Sequence, residues 1–302
     1  MIISIASGKG GTGKTTIATN LAAALKQPVQ LLDCDVEEPN AHLFLKPVMD
    51  RSREIYLEVP EIDPAKCTYC GKCRDICQFN AIAILPTAAL TFPELCHSCG
   101  GCFLVCPEEA VIPKNRLIGV IETGARGTIR FIHGRLRVGE ALAPPLIRRV
   151  KAEAENGVLT IIDAPPGTSC PVLAAVWGSD LVLLVTEPTP FGLNDLELAV
   201  AAVREMKLPL GLVINRADVG DGRVHAYAAR ENLPIFLEIP FHREVAETYA
   251  RGELLVEKLP EWRRLMQSLF ERIQSELAGA GPGNRRPGSD DSPAASERTI
   301  YA

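Results

Sequence analysis

The sequence predicts an α/β protein with a doubly wound, mostly parallel sheet, and three observations support this class. Short apolar segments that end in polar residues alternate with helical segments along most of the chain. A glycine-rich stretch joins the first apolar segment to an alanine-rich helical one. At 302 residues the chain is long enough to bury a full core. Apolar strands that alternate with helices are typical of a parallel sheet covered on both faces.

The predicted strands have apolar interiors, and most end in polar side chains. They are Ile2–Ala6, Val29–Asp35, Leu159–Asp163, Asp180–Thr186, Leu210–Asn215 and Ile235–Ile239. The predicted helices are Pro145–Glu155, Leu193–Met206, Val224–Glu231 and a core-packing final helix, Pro260–Leu277. Alternating stretches at 128–133 and 135–138 predict a β-hairpin that returns to the main sheet. Functional residues are expected at the carboxyl ends of the strands.

The stretch from Gly8 to Thr16 has the composition and setting of a phosphate-binding loop. It follows a strand, opens a helix and fits G-x-x-x-x-G-K-[ST]. Lys14 is expected to reach the β- and γ-phosphates, and the Thr15 hydroxyl to complete a Mg²⁺ shell. Glycines let backbone N–H groups converge on phosphate oxygens. The expected nucleotide ligands are Gly10, Gly11, Thr12, Gly13, Lys14, Thr15 and Thr16.

Residues 56–116 interrupt the α/β pattern with two cysteine runs of spacing C-x2-C-x2-C-x3-C. In such runs three thiolates bind one 4Fe–4S cluster, and the fourth binds the other cluster. We expect one cluster on Cys67, Cys70, Cys73 and Cys106, and one on Cys96, Cys99, Cys102 and Cys77. The competing interpretation is zinc, which usually takes two cysteine pairs separated by a longer loop.

These cysteine runs resemble those of a bacterial two-cluster ferredoxin, a small α+β domain. Segments 80–82 and 109–111 occupy equivalent positions in the two halves, which indicates an internal duplication. The second run ends Cys106-Pro107 as in that family, whereas the first ends Cys77-Gln78. Because that proline sets the direction of the chain and is not a ligand, its absence after Cys77 concerns the local turn more than the ligation. Cys34 and Cys170 are expected to be free thiols, with a bridging cluster at a dimer interface as the alternative.

The glycine-rich loop carries an additional lysine, Lys9, and resembles the deviant phosphate loop of the MinD/Mrp ATPases, which include the nitrogenase iron protein. In that family this lysine reaches across a nucleotide-sandwich dimer. The resemblance implies a homodimer in which Lys9 contacts the partner's phosphates. It also implies that Asp35, in a switch I segment, activates the attacking water and that Asp163, in a Walker B segment, holds the Mg²⁺ shell.

Two further strand ends resemble the adenine-framing positions of the MinD-like family. Asn215 and Asp218 follow one core strand, and Pro240 follows another. The spacing Asn215-x-x-Asp218 also imitates the guanine-reading motif of GTPases, so GTP remains the alternative. The family resemblance favours ATP.

Composition limits the partners and the compartment. The net charge is −5, with no basic excess to indicate nucleic acid binding. Apolar runs fall short of the roughly 18 residues of a membrane span, and the chain starts directly with a strand. Ten cysteines without an export signal indicate metal ligation in a cytoplasmic protein. Residues 279–302, rich in Gly, Pro, Ser and charge, are expected to be disordered.

The sequence therefore predicts a P-loop ATPase domain, residues 1–55 and 117–278, with an inserted ferredoxin-like domain, residues 56–116. The function expected from the resemblance is ATP-gated electron transfer to a protein redox partner. One alternative is an iron–sulfur cluster carrier of the Mrp kind, which passes a cluster to an acceptor. A further alternative is a MinD-type positioning ATPase whose ferredoxin domain senses redox state.

Overall fold

The computed structural model describes residues 1–279. The strands are β1 Ile2–Ala6, β2 Val29–Asp33, β3 Val48–Ile62, β4 Ile82–Leu85, β5 Ala88–Thr91, β6 Val111–Arg126, β7 Ile129–Leu136, β8 Leu159–Asp163, β9 Leu181–Thr186, β10 Leu210–Asn215 and β11 Ile235–Ile239. The helices are α1 Lys14–Ala24, α2 Ala41–Leu45, α3 Lys72–Ile76, α4 Gly101–Leu104, α5 Ala143–Ala152, α6 Cys170–Val176, α7 Pro190–Glu205, α8 Arg223–Arg230, α9 Arg243–Ala250, α10 Leu255–Lys258 and α11 Pro260–Gly279, with a 3₁₀ turn at Pro93–Leu95.

Nine of these strands form one sheet, in the order β11-β10-β9-β1-β8-β2-β7-β6-β3. Every neighbouring pair from β11 to β7 is parallel. The strands β2, β8 and β9 are buried along their whole length, as expected for a sheet covered on both faces. The predicted α/β class with a mostly parallel sheet is confirmed.

Helix α11 packs into the core, as predicted from its apolar face. Met266 and Ile273 are completely buried, and Leu269 is 1% exposed. Their neighbours in the same core include residues of α1 and of the central strands. Between residues 1 and 279, no helix is long and apolar enough to cross a membrane. The predicted disordered tail, apart from Gly279, lies outside the described residues.

The predicted hairpin at 128–133 and 135–138 is wrong. Residues 129–136 form the single strand β7, which pairs in parallel with β2. Gly134, between the two predicted stretches, lies inside β7. A Cβ at this position would lie 2.7 Å from Val36 and 2.8 Å from Val150, so the glycine permits close packing. The connection to the neighbouring strand β6 is formed by residues 127–128 instead.

The chain divides into two compact units. The sheet unit comprises residues 1–52, 121–135 and 144–279 of the described chain, and the cysteine unit comprises residues 53–120 and 136–143. The cysteine unit contains the antiparallel pair β4–β5 and the short helices α3 and α4.

The two halves of the cysteine unit repeat the same backbone conformation. Tyr69 and Ser98, each two residues after the first cysteine of its run, have φ values of 57° and 58°. The glycines that start α3 and α4, Gly71 and Gly100, have φ values of 83° and 78°. Matching left-handed residues at matching positions support an internal duplication.

Candidate nucleotide site and cysteine cavities

The loop between β1 and α1 forms an open cradle at the carboxyl edge of the sheet. Gly11 and Gly13 adopt φ values of 78° and 101°, which favour glycine. A Cβ on Gly13 would also lie 2.7 Å from Asn215 Nδ2. No side chain caps the start of α1, so its first N–H groups are available to an anion. This geometry suits the phosphates of a nucleotide.

Two aspartates of the sheet unit, Asp35 and Asp163, lie near the buried Lys14. Burial lowers the pKa of Lys14, and the charges of Asp163 and Asp35 raise it. Asp163 is 1% exposed, and neither of its carboxylate oxygens has a hydrogen-bond partner among the described residues. Burial raises its pKa to about 7, against the opposing effects of Thr15 and Lys14. An unpartnered buried carboxylate beside a threonine fits the outer shell of Mg²⁺.

Asp33 and Asp35 have different roles. The Asp33 carboxylate accepts hydrogen bonds from the backbone N–H groups of Asp35, Asn40 and Ala41, at 3.0–3.1 Å. These bonds turn the chain at this point, which is why β2 ends at Asp33 and not at Asp35 as predicted. Burial raises the pKa of Asp35 to about 6, with Lys14 opposing. The Asp35 carboxylate accepts one hydrogen bond from the backbone N–H of Glu38, and its raised pKa suits a role as proton acceptor.

Lys9 forms an ion pair within its own chain. Its Nζ lies 3.6 Å from Oε2 of Glu187, the residue that follows β9. The other oxygen of Glu187 accepts a 2.9 Å bond from Nη1 of Arg216. Glu187 directly follows a predicted core strand, but no role for it was predicted from the sequence. The sequence signal that could have identified Glu187 is a carboxylate directly after a core strand, in a chain whose phosphate loop carries an additional lysine.

One of the expected base-framing residues, Asn215, contacts the phosphate loop. Asn215 Nδ2 donates to the Thr12 carbonyl oxygen at 2.8 Å. Asp218 accepts a hydrogen bond from the backbone N–H of Phe241, next to Pro240. The preference for ATP over GTP stays a prediction from the family resemblance.

The eight cysteines of the two runs line two separate cavities of the cysteine unit. The first cavity is lined by Cys67, Cys70, Cys73 and Cys106. The second is lined by Cys77, Cys96, Cys99 and Cys102. Each cavity thus takes three cysteines from one run and the last cysteine of the other run.

Backbone N–H groups point at cysteine sulfurs in both cavities. Ala110 N–H donates to Cys106 Sγ at 3.2 Å, and Ala81 N–H, its equivalent, donates to Cys77 Sγ at 3.3 Å. Burial raises the pKa of the Cys102 thiol to about 12. Within residues 1–279, no three His, Cys, Asp or Glu side chains are arranged to hold a single metal ion.

The second cavity has two additional features. Phe79 and His97 both line it, and their rings stack with centroids 3.7 Å apart. Cys96 is also approached by Arg116, whose Nη2 lies 3.4 Å from the Cys96 carbonyl oxygen. Burial raises the pKa of Cys96, and the Ser98 N–H and the Arg116 charge lower it. Sequence analysis did not identify Arg116.

The two remaining cysteines lie in the sheet unit. Cys34 is completely buried, and burial strongly raises the pKa of its thiol. Its N–H donates to the Asp163 carbonyl oxygen at 2.9 Å, which joins the ends of β2 and β8. Cys170 is exposed at the start of α6. Their assignment as free thiols, and the alternative of a bridging cluster, stay predictions.

Comparison with known proteins agrees with this geometry. The model of the family described as the CobQ/CobB/MinD/ParA nucleotide binding domain matches residues 3–256. The uncharacterized protein MJ0578 of Methanocaldococcus jannaschii is 34% identical over 91% of this chain and 96% of its own length. An iron-sulfur cluster carrier protein of Pyrococcus horikoshii is 25% identical over 91% of this chain and 86% of its own length.

A solved structure shares the fold of the sheet unit. The septum site-determining protein MinD from Pyrococcus horikoshii, complexed with Mg-ADP, superposes with a TM-score of 0.57 at 22% identity. The match covers 92% of this chain and 97% of that structure. The chain belongs to the CobQ/CobB/MinD/ParA family, and its sheet unit is a nucleotide-binding ATPase domain of the MinD/ParA type.

Proposed function

We propose that this chain is an ATP-hydrolysing iron–sulfur protein that couples nucleotide-driven closure of a homodimer to electron transfer by two 4Fe–4S clusters. One observation carries the proposal: eight cysteines line two cavities in the interleaved pattern of a two-cluster ferredoxin. When bound, such clusters supply one-electron chemistry.

The ATPase half of the proposal assigns a role to each residue around the cradle. Lys14 and the N–H groups of the loop hold the phosphates, and Thr15 and Asp163 hold the Mg²⁺ shell. Asp35 accepts the proton of the attacking water. Lys9 leaves Glu187 and reaches the phosphates of the partner protomer, where its charge stabilises the transition state.

The second half of the proposal is that the cysteine unit retains both clusters permanently. All eight cysteines of the two runs line cavities, so each proposed cluster has four thiolate ligands and is retained by the chain. A transferable cluster requires incomplete, exposed ligation, and of the two cysteines outside the runs Cys34 is buried, so only the exposed Cys170 could offer it. The protein then acts in the cytoplasm on a protein redox partner.

The main alternative is an iron–sulfur cluster carrier, and the name of the Pyrococcus horikoshii relative supports it. A positioning ATPase with a redox-sensing cysteine unit is the further alternative. These functions differ in what leaves the protein: an electron, a cluster, or neither.

An anaerobic transfer assay distinguishes these functions. The dithionite-reduced protein is mixed, with and without ATP, with an oxidised ferredoxin that accepts electrons and with an apo-ferredoxin that accepts clusters. We expect ATP to accelerate ferredoxin reduction while iron stays on the chain. Lys9→Ala should lose the acceleration, and Lys26→Ala, at an exposed loop lysine, should keep it. Iron transfer to the apo-ferredoxin without electron transfer would contradict the proposal.

A further inference from the structure

Among its described residues the cysteine unit contains one buried cation, and this cation contacts a cysteine that lines the second cavity. Arg116, on β6, is 7% exposed, and its Nη2 faces the carbonyl oxygen of Cys96 in the second cavity. Among the described residues of this unit, Arg116 and Glu140 are the only charged side chains that are buried. They form an ion pair of 3.1 Å between Nη1 and Oε2.

The Arg116–Glu140 ion pair has its positive end toward Cys96 and its negative end away from it. The guanidinium contacts Cys96 on one side and Glu140 on the other. The Glu140 side chain is 0% exposed, and its Oε1 also accepts the N–H of Leu142 at 3.1 Å. The segment that carries Glu140 is attached to β6 by a 2.8 Å bond from Arg137 N–H to the Ile118 carbonyl oxygen. The positive end of a fixed dipole therefore faces the second cavity.

The first cavity has no comparable charge. Its charged lining residues, Lys72 and Glu108, are both exposed. The nearby pair of Lys114 and Glu61 is also exposed, at 59% and 47%. Water and salt screen exposed charges, whereas a buried charge acts through a medium of low dielectric constant. The two otherwise duplicated cavities therefore differ electrostatically.

We propose that Arg116 raises the reduction potential of the second cluster, on Cys77, Cys96, Cys99 and Cys102, above that of the first. This inference rests on the proposed function, because it requires both clusters. Each cluster takes up one electron on reduction and becomes more negative by one charge. A buried cation beside one cluster stabilises its reduced form. An electron supplied to the cysteine unit then resides on the second cluster.

A potentiometric titration with dithionite as electron donor, followed by electron paramagnetic resonance, tests the inference on the full chain. The wild type should show two one-electron steps, and Cys106→Ser, which damages the first site, should retain the higher one. Arg116→Gln should lower the ratio of reduced to oxidised second cluster about tenfold at fixed potential, which is about 59 mV. Arg116→Lys should preserve most of the wild-type potential.

Glu140→Gln provides the matched opposite change, since it leaves the Arg116 charge uncompensated. Glu140→Gln should raise the potential of the second cluster, whereas Arg116→Gln should lower it. If Arg116 and Glu140 had only a structural role, both variants would shift the potential in the same direction. Lys114→Gln, at an exposed lysine of the same strand, should change neither step. If Arg116→Gln loses the second cluster, the sign of the Glu140→Gln shift decides.

Each contrary result identifies what has failed. Equal shifts of both clusters in Arg116→Gln, or a lowered potential in Glu140→Gln, would overturn the role of Arg116 and leave the proposed function intact. A wild-type chain with no pair of one-electron steps and no bound iron would overturn the proposed function, and the role of Arg116 with it.

Discussion

The buried carboxylate of Asp163 should destabilise the ligand-free protein, so replacing it with asparagine should stabilise the fold. Its pKa is about 7 in the folded chain against an ordinary value of 3.8. An acid whose folded pKa is raised lowers the free energy of unfolding as pH increases between these two values. The shift corresponds to up to about 4 kcal/mol at pH 8. More than half of this cost disappears at pH 5, where folded Asp163 is protonated.

We therefore expect Asp163→Asn to be more stable than the wild type by a margin that is about 3 kcal/mol larger at pH 8 than at pH 5. Comparing the two pH values cancels any cost of an unpaired asparagine amide, because that cost does not titrate. The charge of Asp163 also raises the pKa of Asp33, so its removal acts in the same direction.

Urea unfolding of the full chain without nucleotide or Mg²⁺ measures this difference. The chain has two tryptophans, Trp177 and Trp262, and both lie in the sheet unit, so their fluorescence reports on the unit that contains Asp163. Glu205→Gln, at an exposed carboxylate of α7, is the control and should show the same margin at both pH values. An equal margin for Asp163→Asn at pH 5 and pH 8 would refute the reasoning.

Three other variants test the remaining parts of the structure. Lys9→Ala should abolish ATP hydrolysis, measured as phosphate release, while binding of a fluorescent ATP analogue stays within about twofold of the wild type, because Lys14 still holds the phosphates. The double variant of Cys67→Ser and Cys106→Ser should lose no more iron than either single variant, whereas Cys67→Ser with Cys77→Ser should lose nearly all; equal losses in the two doubles would contradict the interleaved cavities. Met266→Ala, at a fully buried position of α11, should lower the free energy of unfolding by about 2–5 kcal/mol; a change below about 0.5 kcal/mol would contradict its place in the core.

Much of the sheet unit could be predicted from the sequence because most residues of its strands are apolar. Such segments as β8 and β9 have few alternatives to a doubly covered parallel sheet. The hairpin error shows the limit of this reasoning. Glycine is common in turns, so the sequence alone does not show that Gly134 lies inside a strand. Only the positions of Val36 and Val150 reveal that this glycine permits close packing.

In the sites too, contiguous motifs could be predicted from the sequence, whereas contacts between residues far apart in the chain could not. The phosphate loop is a contiguous motif, and the cysteine runs have a spacing that itself predicts the interleaved grouping. The partners of Lys9 and of Cys96 could not be predicted in this way. Glu187 lies far from Lys9 along the chain, and Arg116 is 20 residues from Cys96, so each contact exists only after the fold has formed.

The measurement that tests the central claim most directly is the anaerobic analysis of iron and acid-labile sulfide in the purified full chain. Two 4Fe–4S clusters on the eight cavity cysteines predict about eight iron and about eight sulfide ions per chain. Zinc in place of iron, or iron without sulfide, would contradict the account.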